Sequence, residues 1–314
     1  MLTATAQGNI LCEPLDWTSS ARGDSPSSTA GQRQAVVRVL ARSGRPVGRI
    51  RLMKLLFLLN RVESDEGLRP TFDFFPFRFG PYSALADRVL TKLVEDGAVE
   101  KGSDGEVCAD SRDLNFHGVQ QSKNMRRLDE VVGDHLETPD DTLVDSVYVQ
   151  WPEFTVLSER YGTPPDRSYA EPSVYTIGYE GHSIDSFLAS LIRSGMARIV
   201  DVRRNAVSRK FGFSKKRLSA LCHDIGVEYE HLPELGIASK DRQEMSSAAD
   251  RAILLSTYAR VALPQLEWAI GTISTLCVDK ASALFCFEST AHQCHRLKLA
   301  DIASATTGLP VVNL

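Results

Sequence analysis

The sequence predicts an α/β protein whose C-terminal half is a five-stranded, mostly parallel, Rossmann-like or flavodoxin-like sheet, preceded by a mainly helical, winged-helix-like domain. Three observations carry this. After Pro172 strand and helix patterns alternate to the end of the chain, the arrangement that builds a parallel sheet with right-handed crossovers. Before it, helical periodicities are followed by a hairpin signal. Between the two, Gly162 to Pro172 holds three prolines among polar residues, a linker composition.

Residues 1–31 are rich in Ser, Thr, Gly and Ala and are expected to be a disordered tail. Residues 32–117 form the winged-helix-like domain. Within it, Gln34 to Leu40 and Ile50 to Val62 have helical apolar spacing and Phe72 to Phe79 looks extended. Ser83 to Asp96 is helical, with Leu85, Val89, Leu90 and Leu93 on one face. Gly97 to Val107 reads as a hairpin with Asp104-Gly105 at its turn. Residues 118–172 are a helical extension and linker, with helices over Val119 to Leu136 and Thr142 to Tyr161.

Residues 173–314 are the α/β domain. Its predicted strands are Val174 to Ile177, Arg198 to Val202, Glu228 to His231, Ser282 to Phe287 and Val311 to Leu314. Its helices are Ile184 to Arg193, Ser214 to Ile225, Asp250 to Cys277 and Cys294 to Thr306. In such a sheet the loops leaving the strands share one edge, so segments 178–183, 203–209, 232–237 and 287–293 are expected to converge.

The hydrophobic content of 43% is ample for two cores. No apolar run approaches the ~20 residues of a membrane span, and no signal-peptide pattern opens the chain, so a cytoplasmic protein without membrane partners is expected. The six cysteines, at 12, 108, 222, 277, 286 and 294, are too scattered for a disulfide framework and read as reduced thiols. A net charge of -4 gives no general affinity for nucleic acid, yet residues 201–217 hold seven Lys/Arg against one Asp, which suits a local anionic partner.

Each converging loop brings different chemistry. Tyr179, Glu180 and His182 lie in a Gly-rich turn where they can meet a ligand, while Ser183, just before a helix, suits an N-cap better than a nucleophile. Arg203, Arg204, Ser208 and Arg209 form either a phosphate site or a solvated basic loop with a buried Asp–Arg pair. Glu234 suits a hydroxyl or an arginine partner, or equally an exposed position. Cys286, Glu288, Cys294, His295 and Arg296 fall within eleven residues. The helix beginning near Cys294 points its positive end at that loop, favouring a thiolate or an anion, so Cys294 competes with Cys286 as the reactive thiol. A zinc reading of Cys286, Cys294, His295 and His292 fits no common spacing, and no metal or cofactor is expected.

The motifs Tyr175-Thr176-Ile177-Gly178-Tyr179-Glu180-Gly181-His182-Ser183, Val200-Asp201-Val202-Arg203-Arg204, Ser208-Arg209, Leu232-Pro233-Glu234-Leu235-Gly236 and Cys286-Phe287-Glu288 with Cys294-His295-Arg296 resemble the family called domain of unknown function 488. Ala206 stands where that family often carries proline. The resemblance implies a site but no reaction. A weaker analogy is to rhodanese-like domains, from which the nine residues between Cys286 and Arg296 depart. Lys54 to Leu59 and Phe72 to Ser83 resemble Panacea-like domains, small helical domains of antitoxins and phage-associated proteins. That resemblance implies a module that binds DNA or protein. Its candidate recognition helix offers Arg88 and Lys92 against Asp87, Glu95 and Asp96, which suits protein better than phosphate.

The expected function is therefore an enzyme directed at nucleic acid or a nucleotide, acting on a base or glycosidic bond in defence against mobile DNA. Glu288, Glu180, Cys286 and Cys294 are the candidate catalytic groups. Tyr179, His182, Arg203, Arg204, Ser208, Arg209, Glu234, His295 and Arg296 are the candidate substrate or phosphate contacts. The alternative is a non-catalytic DNA- or protein-binding, antitoxin-like adaptor whose α/β domain senses a nucleotide.

Overall fold

A computed structural model describes residues 29–109, 123–160, 162, 167–238, 241 and 247–314. Most of the expected tail, part of the linker and the start of the expected 119–136 helix lie outside these residues.

The N-terminal half is mostly helical: α1 (Thr29–Ser43), α2 (Arg49–Asp65), a hairpin of β1 (Phe75–Phe77) and β2 (Gly80–Tyr82), α3 (Ala84–Glu95), a second hairpin of β3 (Glu100–Lys101) and β4 (Val107–Cys108), α4 (Lys123–Asp134) and α5 (Asp140–Gln150). One apolar core, with Leu40, Leu55, Phe57 and Leu90 at its centre, also takes in Leu128, Val132, Leu143 and Val147. Helices α4 and α5 thus complete the core begun by α1–α3. The stretch expected as one extended run over 72–79 instead folds back at Gly80, whose φ of 84° is open to glycine at little cost. A Cβ there would come within 2.6 Å of the Tyr148 ring. Buried Lys54 donates to the carbonyls of Phe79 and Pro81, which pins this hairpin to α2. The helix expected over 142–161 stops at Gln150 because Pro152 drives Trp151 out of the helical region, to φ -132° and ψ 68°.

The C-terminal half runs β5 (Val174–Gly178), α6 (Ile184–Arg193), β6 (Arg198–Asp201), α7 (Lys215–Asp224), β7 (Glu228–His231), α8 (Ala248–Thr257), α9 (Glu267–Asp279), β8 (Ser282–Cys286), α10 (His295–Thr307) and β9 (Val311–Asn313). The five strands make one sheet in the order β7-β6-β8-β5-β9, and every pairing is parallel. Alternate residues of each strand face opposite layers. Tyr175, Ile177, Ile199, Ala283 and Phe285 meet α6 and α7 on one face. Val174, Val200, Leu284 and Cys286 meet α8, α9 and α10 on the other. β8 therefore lies between two strands whose connecting helices leave on the opposite side of the sheet, the topology that opens a crevice at the strand ends.

The single helix expected over 250–277 is broken. α8 runs on through a π turn at Tyr258–Ala262 and a 3-10 turn at Leu263–Gln265, after which the chain bends by 94° into α9. Pro264 accounts for the break, since it offers no N–H and its ring collides with the preceding turn. Among the described residues no single helix is long and apolar enough to cross a membrane.

The two halves are joined by exchanged helix caps. Ser83 caps α3 and Ser183 caps α6, each accepting from the backbone N–H three residues on. Asp185, on α6 and fully buried, accepts from Ser83 Oγ at 2.8 Å, Ala84 N at 2.6 Å and Leu85 N at 3.2 Å. In return Ser183 Oγ donates to Asp73 at 2.6 Å.

A candidate active site at the C-terminal edge of the sheet

Register brings the loops together. Gly178 pairs with Cys286, Asp201 with Phe285, and Asp201 with His231, so four strands end nearly level. Beyond the sheet the ladder continues, with Tyr179 N donating to Cys286 O at 3.3 Å and Glu180 N to Phe287 O at 2.8 Å. Two glycines allow the close approach. A Cβ on Gly178 would lie 1.8 Å from Glu288 O, and one on Gly236 would lie 2.0 Å from Arg204 N.

On the β8 side, Glu180 Oε2 accepts from Ser289 N at 3.0 Å and Ser289 Oγ at 3.2 Å, so Glu180 reaches over to the segment carrying Glu288. The half-buried Glu288 places Oε2 3.6 Å from Cys286 Sγ. Phe287, just before Glu288, is 42% exposed and stands edge-on against the Tyr179 ring at 5.2 Å. Arg296 is buried under the loop and donates to the carbonyls of Glu288 and Ser289. It positions the backbone of Glu288 and does not reach the open edge.

Arg203 is likewise committed. Its Nε and Nη2 donate to both oxygens of fully buried Asp201, its Nη1 to Phe213 O at 2.9 Å, and its guanidinium lies over the Phe285 ring. Of the two readings of this loop, Arg203 takes the buried Asp–Arg pair, while Arg204 and Arg209 are exposed and available to an anion. Ser208 shapes the loop by accepting from Lys210 N at 3.1 Å and from the Tyr179 hydroxyl at 3.4 Å. His182, beside Ser186, is held below its ordinary pKa by burial and by the nearby Lys210 charge. Glu234 sits half-buried in the turn at Pro233–Leu235 after β7, next to Pro233, whose carbonyl accepts from Arg204 at 3.4 Å.

Under the rim lie Cys286, Cys294 and His295, which are 0%, 2% and 2% exposed. His295 Nδ1 is 3.8 Å from each sulfur, and Nε2 donates to Val202 O at 3.0 Å. The hydrogen bond to Cys294 and burial push the Cys286 thiol up. Cys294 is pulled down, against its own burial, by Cys286 and by His295 and Arg296. Both sulfurs are therefore buried beneath the rim, while Glu180 and Glu288 are less buried than they are.

Residues 183–303 match the family described as Domain of unknown function DUF488. The matched stretch runs from the cap of α6 into α10 and takes in the basic loop, Glu234 and the Cys286–Arg296 segment; Tyr179, Glu180 and His182 precede it. No curated protein and no solved structure matches the chain.

Sequence reasoning gave no individual role to three contributors. Lys210, half-buried and 3.5 Å from Tyr179 O, has its pKa lowered by burial. His231 donates from Nε2 to Arg203 O at 2.9 Å and so turns an acceptor nitrogen to Lys215 Nζ at 3.2 Å. Asp73 arrives from the other half of the chain, 110 residues before its partner Ser183; no local pattern signals such a contact.

Gly178→Ala is expected to cost about 1–3 kcal/mol, as overpacking does, because the backbone of Glu288 has to retreat from the new methyl. Thermal melting and assay of the purified variant check this. An unchanged melting temperature would show that the two loops are not held this close.

Proposed function

We propose that the C-terminal edge of the sheet is the active site of an enzyme directed at nucleic acid or a nucleotide, acting on a base or its glycosidic bond. The observation that carries this reading is that Glu180 holds Ser289, the residue next to Glu288 and two after exposed Phe287, on the sheet edge that also carries exposed Arg204 and Arg209. An exposed ring gives a base a stacking surface, cations hold phosphate, and paired carboxylates supply acid and base to glycosidic chemistry. Glu288 acts on the reacting atoms, and Glu180 orients the loop that carries it.

The N-terminal half, read as a Panacea-like, antitoxin- or phage-associated module, delivers the site to its target in defence against mobile DNA. One observation favours the adaptor alternative: Trp268, Val261 and Val278, on or beside α9, are each about half exposed, and Ile253 on α8 is more so, which suits a protein partner.

A panel of single- and double-stranded DNA, RNA and free nucleotides, scored for base release and strand modification, tests the enzymatic reading. Combined replacement of Arg204 and Arg209 by alanine is expected to weaken binding and to reduce the salt dependence by roughly two counterions. Absence of turnover across the panel, together with an unaltered salt slope, would overturn the reading in favour of the adaptor.

A further inference from the structure

Three ligand-type atoms meet beneath the rim in an arrangement that the carboxylate chemistry leaves without a task. Cys286 Sγ, Cys294 Sγ and His295 Nδ1 all lie within 4.8 Å of one another, and Nδ1 is 3.8 Å from each sulfur. Tetrahedral zinc, with Zn–S of about 2.3 Å and Zn–N of about 2.0–2.1 Å, separates sulfur from nitrogen by about 3.6 Å and sulfur from sulfur by about 3.8 Å. The two sulfur–nitrogen distances are already close to that spacing, and the sulfurs lie within 4.8 Å of each other.

Its surroundings match as well. The Nε2 hydrogen bond to Val202 O turns Nδ1 toward the sulfurs, the role a backbone carbonyl plays behind a metal-bound imidazole. The Tyr258 ring stands edge-on to the imidazole at 5.6 Å and is itself anchored by its hydroxyl to Leu235 O at 2.6 Å. The adjacency of Cys294 and His295 is no obstacle. Cys294 is extended, at φ -128° and ψ 144°, while His295 opens α10, and that change of backbone sends both side chains to one point.

We propose that Cys286, Cys294 and His295 bind one zinc ion through Sγ, Sγ and Nδ1, leaving a fourth position beside Glu288. Binding releases the protons still held by the thiols. Two thiolates neutralise the dication, so no net charge is buried. With three protein ligands the site is of the open, water-holding kind, and Glu288 Oε2, 3.6 Å from Cys286 Sγ, is placed to take a proton from that water. This last role rests on the function proposed above; the ion site does not.

The test uses the full chain purified without chelator and then dialysed against zinc, or against cobalt as a spectroscopic probe. Elemental analysis is expected to find about one zinc per chain, and the cobalt form should show thiolate-to-metal charge-transfer absorption. Cys294→Ser and His295→Ala should each remove most of the bound metal while the far-ultraviolet dichroism is retained. If either variant fails to fold, mercurial titration of the wild type provides the second measurement, since zinc should be released in step with modification of Cys286 and Cys294. A chain that takes up neither metal after dialysis, or one whose metal stays when these thiols are blocked, overturns the site. Zinc retained in Glu288→Gln with turnover unaffected would leave the site standing and remove its link to the reaction.

Discussion

Glu288→Gln is expected to lower kcat by about 10²–10⁴-fold, the usual worth of a positioned acid or base, with little change in KM. The substitution keeps the side chain's shape and removes its capacity to exchange a proton. The backbone beneath it is held independently, by Arg296 donating to the carbonyls of Glu288 and Ser289 and by the Glu180–Ser289 contact. The proposed contacts at Phe287 and Arg204 are therefore expected to stay where they are. Glu180→Gln should be milder, because a Gln oxygen can still accept from Ser289. Steady-state kinetics on the substrate found in the panel separate the two. An unchanged kcat in Glu288→Gln would remove this residue from the chemistry.

Asp185→Ala should cost about 2–3 kcal/mol, because the first turn of α3 loses its acceptor from the other half of the chain while staying buried. Three donors converge on this carboxylate, and the Ser183–Asp73 bond lies close by. Denaturant unfolding followed by intrinsic fluorescence measures the loss; a cost under half a kcal/mol would mean that the caps are not what joins the halves. The same residue predicts a pH dependence. Burial raises Asp185 from 3.8 to about 7, against the pull of its donors and with a further push from Asp73. Its contribution is then fully present below the unfolded value near 3.8 and is lost as pH rises through about 7. The melting temperature of the wild type relative to Asp185→Asn is thus expected to fall between pH 4 and pH 7. A rise over that window would mean that the donors outweigh burial.

Much of the architecture was legible in local pattern. The apolar run of β8 is buried along its whole length and reads as a central parallel strand, and Ser183 ahead of Ile184 marked the start of α6. The failures came where one residue interrupts a periodic stretch. Pro264 inside an apolar helix pattern and Pro152 after α5 end helices that the spacing alone continues, since periodicity registers side chains and not a missing N–H. The candidate site was legible as a set of segments but not as roles. Arg203 and Arg204 are neighbours with the same chemistry, yet only the strand register turns one onto Asp201 and leaves the other exposed.

By itself, then, the sequence determined a parallel sheet behind a helical half and the four loops that carry polar chemistry, because alternation of strand and helix leaves little choice of topology. Tertiary structure alone decided that Cys286 and Cys294 sink to face His295, and that Asp73 and Asp185 tie the two halves together. Those outcomes depend on distances between residues up to 110 positions apart, and no local pattern encodes a distance of that kind.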